Sequence, residues 1–142
     1  MSESRFLSDE LETEDLGREL AALTPPGGTW LLRGELGAGK TTWTRGFLQG
    51  LGGDPDEVAS PTYAVLHRYL TSKARLFHLD LYRLGAEGAW SLGLEDEIGP
   101  TDYLVVEWAG SRGPWPSPWV AELSLEGLGE GRRALWVLPK AE

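Results

Sequence analysis

An α/β domain with a mixed central sheet flanked by helices is predicted by three features of the chain. A short apolar segment, 29–33, runs straight into a glycine-rich turn, and helical apolar spacing follows it. A second segment, 103–106, is apolar without interruption, as a strand covered on both faces must be. Two pairs of strand-like segments, 64–70 with 75–79 and 119–125 with 132–138, are each joined by a short turn. The first turn is of hairpin length, so that pair is expected to be antiparallel.

The elements follow in order. Residues 9–23 read as a helix, because Leu16, Leu20 and Leu23 fall on one face and Asp9 with Glu12 resembles a capping box. Thr24-Pro25-Pro26-Gly27-Gly28 ends it and turns the chain into strand 29–33. After the glycine turn a helix runs to about residue 51. Trp43, Phe47, Leu48 and Leu51 give it an apolar face, and Gly52-Gly53-Asp54-Pro55 stops it. Ser60-Pro61-Thr62-Tyr63 is a rigid polar loop before strands 64–70 and 75–79. Residues 86–98 are expected to hold one or two short helices. Strand 103–106 ends at Glu107-Trp108, and a Pro- and Gly-rich loop precedes the last two strands.

Composition narrows the function. The 142 residues predict one domain, 1–142, and a hydrophobic content of 41% suffices for one core. The net charge of −9 argues against a broad basic footprint for nucleic acid. No Cys is present, which excludes a disulfide framework and thiolate metal sites. No apolar run is long enough to span a membrane, and Met-Ser-Glu-Ser-Arg lacks a signal-peptide core, so a cytoplasmic protein without membrane contact is expected.

The turn itself is Gly34-Glu35-Leu36-Gly37-Ala38-Gly39-Lys40-Thr41, which satisfies G-x-x-x-x-G-K-[ST] at every position. A strand precedes it and a helix follows, which is the context that motif requires. The prediction is therefore a single-domain P-loop NTPase. Backbone N–H groups of Leu36, Gly37, Ala38 and Gly39 would form an anion nest, and the helix would point its positive end at the same phosphates. Lys40 supplies charge to the β- and γ-phosphates, the Thr41 hydroxyl is the expected Mg²⁺ ligand, and Thr42 can reach the α-phosphate region.

Such a loop needs a second carboxylate for the magnesium shell. Glu107, at the end of the apolar strand 103–106, has the right placement. Glu is one methylene longer than the more usual Asp and could act through a water. Asp80 ends strand 75–79 and is the other candidate, either orienting the attacking water or completing the shell. Thr62 lies where P-loop switches often sense the γ-phosphate. His78 and His67 read as packed or exposed strand residues.

Five blocks together resemble one family. They are Gly34 through Thr42, then Thr44-Arg45-Gly46-Phe47, Ser60-Pro61-Thr62-Tyr63, His78-Leu79-Asp80-Leu81-Tyr82-Arg83, and Glu107-Trp108. Their order and spacing are similar to the TsaE (YjeE) family, the ATPase subunit of the bacterial machinery that makes threonylcarbamoyladenosine in tRNA. The resemblance covers about residues 9–133. It implies Mg²⁺-dependent binding and slow hydrolysis of ATP. It also implies action with TsaD and TsaB partners on tRNAs that read codons starting with A, and a role in resetting the transferase; the net charge of −9 adds the expectation that tRNA is met only through those partners. By position it makes Lys40 and Thr41 the phosphate and magnesium residues, Glu107 the second magnesium residue, and Asp80 a residue required for hydrolysis. It puts Thr62 in a switch-like loop and Trp108 beside the nucleotide. Glu10, in the Ser8-Asp9-Glu10 segment, and Gly131, in the Gly131-Arg132 turn, would meet the base or sugar.

The alternative is a small P-loop metabolite kinase, but 142 residues leave little room for a lid and an acceptor-binding segment. A GTPase switch is disfavoured because its Asn-Lys-x-Asp motif needs Asn, and the chain contains none. A module that binds nucleotide without turning it over differs from a slow ATPase only in geometry.

Overall fold

The computed structural model describes residues 2–35, 37–58, 66–72, 74–80, 93–107, 115 and 117–139. Its strands are β1 (Ser2–Leu7), β2 (Thr29–Gly34), β3 (Leu66–Leu70), β4 (Arg75–Asp80), β5 (Tyr103–Glu107), β6 (Val120–Gly127) and β7 (Arg132–Val137). The helices are α1 (Glu10–Leu23), α2 (Lys40–Gly50) and the single turn α3 (Leu94–Glu97). The strands form one sheet in the order β1-β7-β6-β2-β5-β4-β3. The four central strands are parallel, and antiparallel partners β7 and β3 flank them, with β1 antiparallel to β7 at the far edge. The α/β fold with a mixed sheet is thus as the sequence predicts.

Two elements differ from the sequence reading. Strand β1 has no counterpart there. Only Leu7 of its six residues is buried, so it carries almost no apolar signal and exists through pairing with β7. Of the helix expected within 86–98, α3 is what falls among the described residues. The Thr62 loop, residues 59–65, lies outside them.

Alternation along the central strands builds two apolar layers. Trp30, Leu32, Tyr103, Val105, Ala121 and Leu123 pack with Leu16 and Leu20 of α1 and Trp43 and Phe47 of α2. Leu31, Phe77, Leu79, Leu104 and Val106 face the other way, with Leu94 of α3. The ring of Trp43 stacks on Phe47 with centroids 4.9 Å apart. Trp30 avoids a buried orphan donor by giving its Nε1–H to Thr24 Oγ1 at 2.8 Å, and Thr24 gives its own hydroxyl to Leu20 O at 2.7 Å.

Helix α1 starts as read, with Glu12 N–H donating to Asp9 Oδ1 at 2.9 Å. The Glu12 carboxylate reaches one residue further back than a capping box requires, accepting from Ser8 N and Ser8 Oγ at 2.9 Å each. The pairing of α1 with α2 rests on glycines: a Cβ at Gly17 would strike Trp43 O, and a Cβ at Gly46 would strike Glu14 O. These neighbours are backbone and cannot turn aside. Gly46→Ala should therefore cost about 2–3 kcal/mol, at the upper end of overpacking effects. Urea unfolding midpoints of wild type and variant check this.

At the end of the sheet away from the glycine turn, Asp102 fastens β4 to the entry of β5. It accepts from Arg75 N at 3.1 Å, Arg75 Nη2 at 2.8 Å and Gly99 N at 2.8 Å. Burial opposes its charge, but the Arg75 hydrogen bonds, the Gly99 amide and the Arg75 charge outweigh it and hold the carboxyl below the ordinary 3.8. A depressed folded value means that the stabilisation is complete above 3.8 and is lost as pH falls through the lower folded value. Asp102→Asn should lower stability at neutral pH by about 1.5–3 kcal/mol. The gap to wild type should close in strong acid, which unfolding curves measured from pH 2 to 7 would reveal.

Candidate functional site

Strand β2 delivers the chain to the turn, and the turn delivers it to α2. Gly39 is the N-cap of α2 with φ +109, in the left-handed region where a side chain is strained. Gly37 has φ +82. No side chain caps α2 and no acidic residue lies in its first turn. The opening amides of that helix therefore keep both their hydrogen-bonding capacity and an uncompensated positive end. That is an anion cradle in form and in charge.

Lys40 is 5% exposed at the base of this cradle. Its Nζ donates to Gly34 O and lies 3.5 Å from Glu35 O. Burial lowers its pKa from 10.5, while the charges of Glu107 and Asp80 act in the opposite direction. An arriving phosphate would compete with the two carbonyls for Nζ and favour the charged form. Thr41 is half-buried, and Thr42, Ala38 and Gly39 are buried.

The acidic pair comes from the neighbouring strands. In the parallel register Glu107 lies beside Leu32 of β2 on one side and Asp80 of β4 on the other. Registered neighbours point to the same face, here the face that carries α2. The two predicted carboxylates thus come within electrostatic reach of Lys40 at the C-terminal ends of the strands, where open α/β sheets bind ligands.

Glu107 is more enclosed than a strand-end carboxylate in solvent: it is 7% exposed, and so is His78. The two are joined by a hydrogen bond between His78 Nε2 and Glu107 Oε2. Burial raises the cost of the Glu107 charge, but the His78 hydrogen bond and the Lys40 charge outweigh it, leaving the carboxyl below 4.5. The sequence reading gave His78 no role. The signal was its place two residues before Asp80 on one strand, which sets both on one face, but its partner is fixed only by the β4–β5 register.

The remaining candidates sit as follows. Glu10 is exposed in the first turn of α1. Gly131 is buried where a Cβ would strike the Phe6 ring and lie 2.9 Å from Leu7 O. The neighbouring Arg132 is the residue that reaches the turn, donating from Nη1 to Ala38 O at 3.2 Å. Leu36, Thr62 and Trp108 lie outside the described residues. A concavity of about 460 Å³ lined by Pro26, Gly27, Thr29, Asp102 and Trp119 lies at the opposite end of β2 and β5, away from these groups.

Hydroxyl and carboxylate oxygens are the donors a hard cation such as Mg²⁺ prefers, so Thr41, Asp80 and Glu107 fit it chemically. Among the described residues no cluster of three or more His, Asp and Glu side chains could hold a metal. A cation here would have to complete its shell with phosphate oxygens, as Mg²⁺ commonly does.

Comparison with known proteins adds an independent line. Residues 7–134 match the family model described as threonylcarbamoyl adenosine biosynthesis protein TsaE. Proteins named tRNA threonylcarbamoyladenosine biosynthesis protein TsaE are similar along most of the chain. The one from Rickettsia felis is 35% identical over 129 residues, 90% of this chain and 75% of its own. The one from Nostoc is 36% identical over 139 residues, 94% of this chain and 84% of its own. The Bacillus subtilis protein is 40% identical over 98 residues, 69% and 61% of the two chains. The crystal structure of Bacillus subtilis YdiB superposes with a TM-score of 0.73 at 25% identity, covering 96% of this chain and 84% of that one.

Proposed function

This chain belongs to the TsaE family, whose model spans residues 7–134, and from that premise we propose that it is the Mg²⁺-dependent ATP-binding and ATP-hydrolysing subunit of tRNA threonylcarbamoyladenosine biosynthesis. The observation that carries the reading is the meeting of Lys40, at the foot of an uncapped helix, with Glu107 and Asp80 in adjacent register. Positive and negative groups converge there around a polar cradle, and that is what a triphosphate and its cation require.

The reaction is attack of water on the γ-phosphate. The amides of Leu36 through Thr42 and Lys40 bind the phosphates. Asp80 orients the attacking water. Mg²⁺ when bound neutralises phosphate charge, and Thr41 and Glu107 would hold it. Thr62 and Trp108 belong to the same site in this reading, and Glu10, Gly131 and Arg132 to its base or sugar side. No strong base stands in the set, so the intrinsic rate is slow. A charge contributed by the partners would raise it, by about 10³–10⁵ if an arginine is supplied.

The partners are TsaD- and TsaB-like proteins, and tRNA is met through them. Among the described residues no helix is long and apolar enough to cross a membrane, and a cytoplasmic site of action is part of the proposal. ATP turnover, measured alone and with the TsaD–TsaB pair, tests it. Mg²⁺-dependent hydrolysis that needs no phosphate acceptor and is stimulated by the pair is expected. Strict dependence on a small-molecule acceptor would instead mark a metabolite kinase.

A further inference from the structure

We infer that His78 is a positioning residue for Glu107, holding that carboxylate in the orientation from which it serves the magnesium shell. The inference rests on the functional reading above and adds a residue to it.

The geometry requires such a holder. Glu107 is buried, and its registered neighbour Asp80 carries the same charge one strand away. A buried carboxylate left without a hydrogen-bond donor is costly, so an unheld Glu107 would turn toward another donor. Lys40, the nearby cation, already gives its Nζ to the Gly34 and Glu35 carbonyls. His78 supplies the direct hydrogen bond, to Oε2 alone, which leaves Oε1 for another ligand.

The imidazole is itself fixed. The ring of His67, its registered partner on β3, lies 6.2 Å away, and the ring of Tyr69 lies 6.4 Å away. His67 and Tyr69 stack on each other within 5° of parallel. Nδ1 of His78 is buried with no partner among the described residues. An unmet lone pair costs less than an unmet N–H in such a place, so the proton resides on Nε2 and is donated to Glu107. The single polar tie of this side chain among the described residues is thus directed at Glu107, the carboxylate read as a magnesium residue. Partners of this kind typically contribute 10–100-fold to metal affinity or activity.

The test compares His78→Gln, which keeps a donor near the Nε2 position, with His78→Asn, whose shorter amide cannot reach Glu107, and with His78→Leu. Binding of a non-hydrolysable ATP analogue is measured by titration calorimetry across Mg²⁺ concentrations. The Mg²⁺ needed for half-maximal tightening should rise about 10–100-fold in His78→Asn and His78→Leu, and stay within about threefold of wild type in His78→Gln. Analogue binding without Mg²⁺ should change less than about threefold in each, against that same 10–100-fold scale. In a Glu107→Gln background, His78→Asn should add nothing further. Should His78→Leu fail to fold, the Gln and Asn pair carries the comparison alone. If wild type binds the analogue with Mg²⁺ but Gln and Asn behave alike, the positioning role is wrong and the functional reading stands. If wild type shows no Mg²⁺-strengthened binding, that reading falls and this inference with it.

Discussion

Replacing Lys40 with alanine should weaken ATP binding by about 10–150-fold, the worth of one or two charge-assisted hydrogen bonds of 1.5–3 kcal/mol in total. Hydrolysis should fall further, by about 10²–10³ or more, because charge on the phosphoryl oxygens peaks in the transition state. The side chain is nearly buried, yet its head donates to the Gly34 and Glu35 carbonyls of the turn and its charge faces Glu107 and Asp80. The variant should therefore stay folded, with an unchanged far-ultraviolet circular dichroism spectrum. The loss is then assignable to the missing ammonium group. Titration of wild type and Lys40→Ala with ATP, followed by turnover at saturating nucleotide, separates the two effects. Equal binding by both proteins would remove the turn from the nucleotide site.

What the sequence reveals and what it conceals divide along the range of the interactions. The cradle is legible because its chemistry is local. Gly37 and Gly39 supply the left-handed backbone, and Lys40-Thr41 follows at a fixed offset. The central strands are legible because a strand covered on both faces must be apolar where it is covered, as 103–106 is throughout and 29–33 is in its middle. Strand β1 is hidden because Ser2-Glu3-Ser4-Arg5-Phe6-Leu7 buries one side chain and owes its existence to β7, at the far end of the chain, with Ser2 opposite Val137 and Leu7 opposite Arg132. The glycines at 17 and 46 are hidden for a related reason: periodicity in a single helix shows which face is apolar, not where a second backbone passes. The pairing of His78 with Glu107 spans 29 residues and depends on strand register, so each residue looks ordinary until β4 lies beside β5.

The same dependence on register sets the sign of the last prediction. Glu107→Gln keeps the shape, and its amide oxygen can still accept from His78 Nε2–H, so stability should change by no more than about 1 kcal/mol. What disappears is one negative charge between Lys40 and Asp80. A triphosphate is a polyanion, so without Mg²⁺ this carboxylate repels it, and its removal should leave ATP affinity equal or slightly higher. With Mg²⁺ the effect reverses, because the cation loses a ligand. Hydrolysis should fall by about 10²–10³, the scale of removing one preorganised electrostatic group. The Mg²⁺ requirement should rise with it. A residue that merely shaped the site would weaken binding under both conditions alike. Opposite signs with and without Mg²⁺ therefore mark a cation ligand. Wild-type turnover with a wild-type Mg²⁺ requirement in Glu107→Gln would reduce Glu107 to a buried partner of His78, with no part in the chemistry.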